Sequence, residues 1–509
     1  MNSFYVTTPI YYPNDVPHLG HAYTTIAADV LARWHRQRGD QVYFLTGTDE
    51  HGKKIEAAAR ENGLDPQEFV DGLVPQFKEE WDLLRIKADR FIRTTDADHE
   101  QVVKSFVRRV HENGDLYKGH YTGSYCVGCE SFVKDKDLVD GLCPLHKTRP
   151  EEMAEETYFF RLSRYRDALL RHFDAHPDFI RPEARLNEIV GKLQEGLEDF
   201  SVTRTTFRWG IPFPLDADHI VYVWFDALIN YLTGIGFLTD NSRFKQFWPE
   251  CVHLVGKDIL WHHTVYWPAM LLSAGLPLPK SVFAHGWWTI EGEKMSKTLG
   301  NFIRPREILS LYDADAFRAY LFWKTVFGRD GDFSRADCVS FVNEELANRL
   351  GNLVLRVVRL VRNHFGGSLA DPGTRTAIDE SFLETWNCLE HGLAGFMEAQ
   401  DISHYLSRVF EFVRAMNQYL DAAKPWVVLR EPSGRERTQA ILGVALAGLA
   451  RTGYLLLPFM PSKMALLLES LGVGSPEKAF VPETGTTPST WHVADPPPLF
   501  PRIEATVAK

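Results

Sequence analysis

Two pairs of side chains in this sequence have the type and spacing to act on a phosphate. His18 and His21 stand three apart in Pro17-His18-Leu19-Gly20-His21, which puts both imidazoles on one side of a starting helix. The strand-like run Phe4 to Thr8 precedes them, and Ala22, Ile26, Val30, Leu31 and Trp34 continue on one helical face until Gly39. A strand-to-helix turn of this kind aims helix amides and the positive end of the dipole at an anion, and Gly20 leaves room for close approach. Two imidazoles there can donate to a phosphate becoming pentacoordinate, each worth roughly 10²–10³-fold in rate. Lys294 and Lys297, flanked by Gly292 and Gly300, are cations on a loop able to close over a triphosphate. Taken singly, a histidine pair of this spacing is more often a surface or capping pair, and such lysines more often belong to a solvated loop.

A third constellation is metal-like. Cys126-Val-Gly-Cys129 is followed, after thirteen residues, by Cys143-Pro-Leu-His146. Two knuckles at that separation supply three thiolates and one imidazole, a closed tetrahedral set for a structural Zn²⁺. A redox role for Cys126 and Cys129 stays open. Cys251, Cys338 and Cys388 complete the 6 cysteines and read as ordinary thiols, so no disulfide framework is present.

The elements that must hold these groups alternate. Gln41 to Thr46 reads as a buried strand ending in Gly47-Thr48-Asp49-Glu50-His51-Gly52, and strand-like runs recur at Ile220 to Phe225, Val252 to Val255 and Val282 to Ala284. Strands alternating with helices predict a Rossmann-like, doubly wound parallel α/β sheet with ligands at the strands' carboxyl ends. The cysteine-bearing segment interrupts it as an inserted zinc-binding domain. From about Leu346 the periodicity turns helical, predicting an α-helical bundle with loops at Gly366 to Thr374 and Glu431 to Glu436. Gly472 to Phe500, rich in Pro, Thr and Gly, predicts an irregular strap.

Composition bounds the partners. With 509 residues, 45% hydrophobic and 24% charged, the chain can bury several cores. A net charge of -11 argues against wholesale nucleic-acid binding and confines any RNA contact to local patches. One such patch is Leu346 to His364, which holds Arg349, Arg356, Arg359 and Arg362 and no acidic residue. There is no GxxxxGK[ST] loop and no full GxGxxG, which disfavours a P-loop ATPase or a dinucleotide dehydrogenase. No basic-led apolar run opens the chain, and the most apolar stretch, Ile441 to Met460, contains Arg451 and Pro458. A cytoplasmic protein with no membrane partner is expected.

The histidine and lysine motifs, in this order, resemble the HIGH and KMSKS signatures of class I aminoacyl-tRNA synthetases. With Tyr5 to Asn14, PHLGHAY, FLTGTDEHG, YVWFDALINYL, LVGKDILWHH, YWPAML, FAHGWW and KMSKTLGN, the chain from its first strand to about Trp426 is similar to the methionyl-tRNA synthetase family. The single-knuckle form without a C-terminal dimerisation domain is the better fit, which implies a monomer. The resemblance implies ATP-dependent attachment of L-methionine to its tRNA through methionyl-adenylate, serving initiator and elongator tRNAs, with Mg²⁺ accompanying ATP and one structural Zn²⁺.

By the same resemblance His18, Gly20, His21, Lys294, Lys297 and Thr298 bind ATP, and Asp49 holds the substrate ammonium. Ile10, Tyr12, Trp224, Ala227, Tyr231, Ile259 and His263 build the side-chain pocket, where Tyr12 or His263 offers the thioether a weak polar contact. Asn352, Arg356 and Trp426 meet the anticodon, by base-edge contact and stacking. The implied divisions are 1–115 and 216–289 for the two halves of the catalytic domain, 116–215 for the insertion, 290–345 for the lysine loop and stem-contact region, 346–480 for the anticodon-binding bundle and 481–509 for the tail. Thr298 replaces the family's usual Ser, and Leu228 and His262 depart from its usual pocket residues. Two alternatives stay open: another class I synthetase or adenylate-forming nucleotidyltransferase, and a non-enzymatic tRNA-binding protein.

Overall fold

The computed structural model describes residues 2–14, 16–133, 138–144, 147–294, 303–473, 488–495 and 498–504. Its centre is a six-stranded sheet in the order Arg90–Arg93, Gln41–Thr48, Ser3–Tyr11, Cys251–Gly256, Ser281–His285 and Ile180–Arg181, with every neighbouring pair parallel. The first strand pairs with Gln41–Thr48 on one side and Cys251–Gly256 on the other. The winding therefore reverses at its edge and opens a crevice at its carboxyl end, where the chain enters Pro17-His18.

Alternation along the strands feeds two cores, one on each face. Phe4, Val6, Phe44 and Leu254 face helix Leu19–Gln37 and the helical bundle, whereas Tyr5, Leu45 and Val255 face the aromatic layer around Tyr231 and Trp267. Helix Leu19–Gln37 is buried nearly all round, including the expected Ala22, Ile26, Val30, Leu31 and Trp34, because sheet and bundle sandwich it. It ends before Gly39, whose φ of 83° is the left-handed conformation that glycine adopts cheaply after a helix.

One strand expectation needs correction. Of Ile220 to Phe225 only Ile220–Val221 is extended, and it pairs with Thr203–Arg204 in a ribbon outside the main sheet. Val223–Leu228 is a helix. A short apolar run reads alike as buried strand or buried helix, and here Asp226, inside the helix, is held by His51 and His99 from distant parts of the chain. Arg90–Arg93 and Ile180–Arg181, unpredicted, supply the two edges instead.

The cysteine segment emerges from a long antiparallel hairpin, Leu116–Cys126 against Glu151–Phe160, within a four-stranded sheet. Ile180–Arg181, flanked by helices Arg166–Ala175 and Glu183–Glu195, returns the chain to the main sheet. A helical run from Arg335 to Phe365, π-helical over Val342–Gly351, leads into the bundle of Ala377–Glu390, Ile402–Ala423, Gly434–Leu456 and Pro461–Ser470. Gly434–Leu456 is long and apolar enough to cross a membrane, but 89% of its most apolar stretch is buried, as befits a core helix. Thr490–His492, in the expected strap, pairs with Ser368–Ala370.

Candidate active site

His18 is the N-cap of helix Leu19–Gln37, with φ of -122° and ψ of 175°. Its Nδ1 accepts from the Gly20 amide at 3.0 Å. A neutral imidazole accepting at Nδ1 carries its proton on Nε2, so the capping bond selects the tautomer that can donate. The His18 and His21 rings stack, centroids 3.6 Å apart at 26°, with Tyr11 against His21 at 4.5 Å. Burial, then the neighbouring His18 and Lys54, push the His21 pKa well below its ordinary value, and its Nδ1 has no hydrogen-bond partner among the described residues. The pair is thus a set of neutral donors at a positive helix end.

The Lys294 side chain, Lys297 and Thr298 lie outside the described residues, but the chain on both sides of that segment is tied to the same helix. On the entry side, His285 Nε2 lies 2.6 Å from Thr24 Oγ1, and the hairpin Trp288–Ile290 to Glu293–Lys294 follows. On the exit side, the Leu19 amide donates to the Ile303 carbonyl at 3.2 Å. Arg306 closes on Glu80 through its amide and Nε, at 3.1 and 3.0 Å. The described residues on both sides of the lysine segment are therefore anchored on the first turns of the helix that begins at His18.

At the end of Gln41–Thr48, the Asp49 amide donates to the Tyr11 carbonyl at 2.9 Å, seating the carboxylate beside the first strand. Asp49 is 2% exposed, with the Tyr12 hydroxyl as its neighbouring donor and no cationic side chain paired with it among the described residues. Burial, then the Asp226 and Glu130 charges, raise its pKa well above the carboxylate range. A carboxyl so placed is poised for a cation from outside the chain. Neighbouring acids are already committed. Glu50 takes Arg93 in a fork at 2.7 and 2.8 Å, and Asp226 receives His51 and His99, each at 2.7 Å. Burial works against ionisation of Asp226, but these two rings hold its pKa low.

The expected pocket residues converge on one face of the sheet. Ala227 and Tyr231 are buried, and Ile10, Tyr12, Trp224 and Ile259 are half-buried against the same core. His263 Nδ1 lies 3.0 Å from the Ile259 carbonyl, so it carries the proton and donates, leaving Nε2 to accept from the Tyr231 hydroxyl at 2.7 Å. Burial pushes His263 down to about 4. Both nitrogens of His263 are thus engaged, and the buried Tyr12 hydroxyl lies beside the Asp49 carboxyl, whose charged form it favours, so neither of the two expected thioether contacts has an uncommitted polar atom. Trp224 stacks on His262 at 3.9 Å and 20°, and burial pushes His262 down to about 3. The π-helical turn His262–Tyr266 presents both histidines, an irregularity frequent at ligand sites.

The knuckle adjoins this pocket. The thiols of Cys126, Cys129 and Cys143 lie within 4.8 Å of one another, and the Cys129 and Cys143 sulfurs are 3.6 Å apart. Sulfurs at tetrahedral corners about 2.3 Å from a zinc ion stand about 3.8 Å apart, so the spacing fits a shared metal and is far from a disulfide. His146 lies outside the described residues. The Trp224 indole donates to the Cys129 carbonyl at 3.3 Å. Buried Glu130 accepts the Lys54 amide and the Tyr125 hydroxyl, each at 2.6 Å, and a Cβ on Gly52, whose φ is 108°, would come within 2.9 Å of its carboxylate. Sequence reasoning missed Glu130, His51, His99 and Asp226. The available signals were an acid directly after a metal knuckle and polar residues inside motifs that were otherwise apolar.

Far apart in sequence, Arg356 and Trp426 meet in the bundle. The Arg356 guanidinium sits 4.9 Å over the Trp426 ring and 2.7 Å from Asp421, and Asn352, one turn earlier, is exposed. The expected basic row is narrower than its composition. Arg349 pairs with Glu345 and Arg362 with Asp495, acids outside the Leu346 to His364 window.

Comparison with known proteins decides between the readings that this geometry permits. The profile described as tRNA synthetases class I (M) matches residues 4–152 and 133–358. A methionine–tRNA ligase of Streptomyces coelicolor is 43% identical over 99% of this chain and 97% of its own length. That of Caldanaerobacter subterraneus is 47% identical over 92% of this chain and 74% of its own length. The chain belongs to the methionyl-tRNA synthetase family. The structure of the Mycobacterium tuberculosis synthetase in complex with methionyl-adenylate agrees with this one at a TM-score of 0.95, with 39% identity over 99% of this chain and all of that one. Its free-state structure superposes at 0.87. Membership in this family removes both open alternatives, a synthetase for another amino acid and a tRNA-binding protein without catalysis.

Proposed function

We propose a residue-level account of the activity that this family membership carries, the ATP-dependent attachment of L-methionine to tRNA through methionyl-adenylate by a methionine–tRNA ligase. The Asp49 carboxylate takes the substrate ammonium. Ile10, Tyr12, Trp224, Ala227, Tyr231, Ile259 and His263 enclose the side chain. Methionine's carboxylate oxygen attacks the α-phosphorus of ATP and pyrophosphate leaves. His18 and His21 donate to the pentacoordinate phosphate, Gly20 admits it, and Lys294, Lys297 and Thr298 neutralise and hold the departing phosphates. The 3′-terminal ribose hydroxyl of the tRNA then attacks the acyl carbon and AMP leaves. Mg²⁺ accompanies ATP as a charge shield on its phosphates.

Cys126, Cys129, Cys143 and His146 would hold one Zn²⁺ as a cross-link of the hairpin tip, where Trp224 and Lys54 lean on the knuckle. Asn352, Arg356 and Trp426 read the anticodon of initiator and elongator methionine tRNAs, supporting both phases of translation. In this account residues 1–115 and 216–289 form the catalytic domain together with the edge strand Ile180–Arg181, which 116–215 returns to the main sheet, the rest of 116–215 the insertion, 290–345 the lysine loop and stem-contact region, 346–480 the anticodon bundle and 481–509 the tail. The protein works as a cytoplasmic monomer.

The observation that supports the account is the anchoring of the chain on both sides of the lysine segment at the start of the histidine helix, through Thr24–His285 and Leu19–Ile303. Its test is amino-acid-dependent ATP–pyrophosphate exchange on the purified protein across a panel of amino acids. Methionine alone should support exchange, and exchange driven only by another amino acid would overturn it.

A further inference from the structure

Helix Leu19–Gln37 begins at the two histidines, and eight residues beyond His21 it buries a carboxylate, Asp29, with no exposed surface. Arg318, from helix Ala314–Lys324 and equally buried, donates Nη2 to Asp29 Oδ2 at 2.7 Å. Its guanidinium also donates to the carbonyls of Phe459 and Pro458, each at 2.9 Å, and of Leu84, at 3.0 Å. Asp29 is completed by Arg33 Nε at 2.6 Å and the Lys87 amide at 2.9 Å. One turn before Arg318, buried Asp315 accepts the Lys463 amide at 2.6 Å and lies 2.5 Å from Arg85. One side chain thus joins the catalytic helix, the turn at Leu84 and the corner between two bundle helices.

From that corner the connection continues. Pro458 and Phe459 link helices Gly434–Leu456 and Pro461–Ser470. Gln37, at the end of the catalytic helix, donates to the Tyr454 carbonyl at 2.8 Å, and Tyr405 donates to the Leu455 carbonyl at 3.1 Å. Tyr405 belongs to Ile402–Ala423, which runs directly into Lys424-Pro425-Trp426. Apolar packing alone tolerates sliding between helices, whereas a planar fork with four fixed acceptors defines one orientation.

We propose that Arg318 is a positioning residue for tRNA charging: it sets the bundle against the histidine helix, so that a tRNA gripped near Trp426 delivers its 3′ end to the adenylate. The inference rests on the anticodon role proposed for Arg356 and Trp426. It leaves the first half-reaction alone, because the partners of Arg318 are Asp29, Leu84, Pro458 and Phe459, and Leu84 and Phe459 belong to the core on the sheet face opposite that of Tyr231 in the methionine pocket.

The test is Arg318→Lys in the full chain, assayed for methionine-dependent exchange, for charging of full-length methionine tRNA and for charging of an acceptor minihelix that lacks the anticodon arm. Lysine keeps the charge but cannot reach four acceptors with one ammonium. Expected are exchange and minihelix charging within about twofold of the unaltered enzyme and full-length charging reduced roughly 10- to 100-fold, the range of typical coupling between sites. A parallel fall in all three activities, or no change in full-length charging, overturns the proposal and leaves Arg318 a plain stabilising residue. If Arg318→Lys does not fold, Asp29→Asn, nearly the same in shape, is read in the same way. Trp426→Ala on the unaltered background separates the underlying reading. If it leaves full-length charging intact, the anticodon role fails, whereas a loss that accompanies an unaffected Arg318→Lys variant sinks only the proposal about Arg318.

Discussion

Replacing Asp49 with asparagine tests the methionine end of the site and has opposite consequences for binding and stability. A hydrogen bond to a charged partner contributes about 1.5–3 kcal/mol, and if Asp49→Asn weakens the grip on the ammonium by about 2 kcal/mol, methionine binding falls about 30-fold. A ligand at 100 times its Kd stabilises the folded protein by about 2.7 kcal/mol. At the same methionine concentration the variant retains only about 0.9 kcal/mol. The unliganded protein should respond the other way. The Asp49 pKa is raised by burial and by Asp226 and Glu130, so its contribution to stability is full below the unfolded carboxylate value and is lost as pH rises through the folded one. Asparagine removes that loss, so at pH 7 the unliganded variant should melt at or above the temperature of the parent. Thermal melts with and without methionine, together with the KM for methionine in exchange, check both statements. An unaltered KM with an undiminished methionine-induced shift would refute the assignment of Asp49 to the ammonium.

His21→Ala should lower exchange by roughly 10²–10³-fold while leaving the methionine-induced melting shift in place, which separates phosphate chemistry from amino-acid binding. Trp426→Ala should leave exchange within about twofold and reduce tRNA charging by about tenfold or more, since base stacking on an aromatic ring contributes roughly 1–3 kcal/mol. Burial depresses the pKa values of His21, His253, His262 and His263, so each gains a proton on unfolding once pH drops below about 6.5. Their stability contribution is present above that value and is lost as pH falls toward the folded values, at up to about 5 kcal/mol per pH unit for four protons; denaturant melts between pH 7 and 4.5 follow it. Stripping metal with a chelator should expose the thiols of Cys126, Cys129 and Cys143 to titration and weaken methionine binding through Trp224. Elemental analysis that finds no zinc before treatment would remove the metal from the account.

What the sequence made legible was whatever local periodicity and spacing encode. Strands at Phe4 to Thr8, Gln41 to Thr46, Val252 to Val255 and Val282 to Ala284 fall inside observed strands, because parallel strands buried on both faces are continuous apolar runs. Arg90–Arg93 escaped notice because an edge strand with an arginine at each end shows no such run. Ile220 to Phe225 misled because its apolar residues fit a buried helix equally well. At the site, the spacing of His18 and His21 predicted a common face, but nothing local disclosed that a capping bond to Gly20 selects the tautomer. Asp226 could not be read as an anchor for His51 and His99 without the contacts that bring 175 and 127 residues of sequence separation to 2.7 Å. The basic row shows the same limit in charge: Glu345, Asp421 and Asp495 are invisible to a window that starts at Leu346.

The central claim is that the histidine turn and the lysine segment enclose a single nucleotide. A crystal structure of this protein with a non-hydrolysable methionyl-adenylate analogue tests it most directly. The account predicts the linking phosphate or its isostere within hydrogen-bond reach of His18 or His21, Lys294 and Lys297 closing from the other side, and the ammonium on Asp49. An analogue bound with its phosphate remote from both histidines, or a lysine segment facing a different cleft, would contradict it.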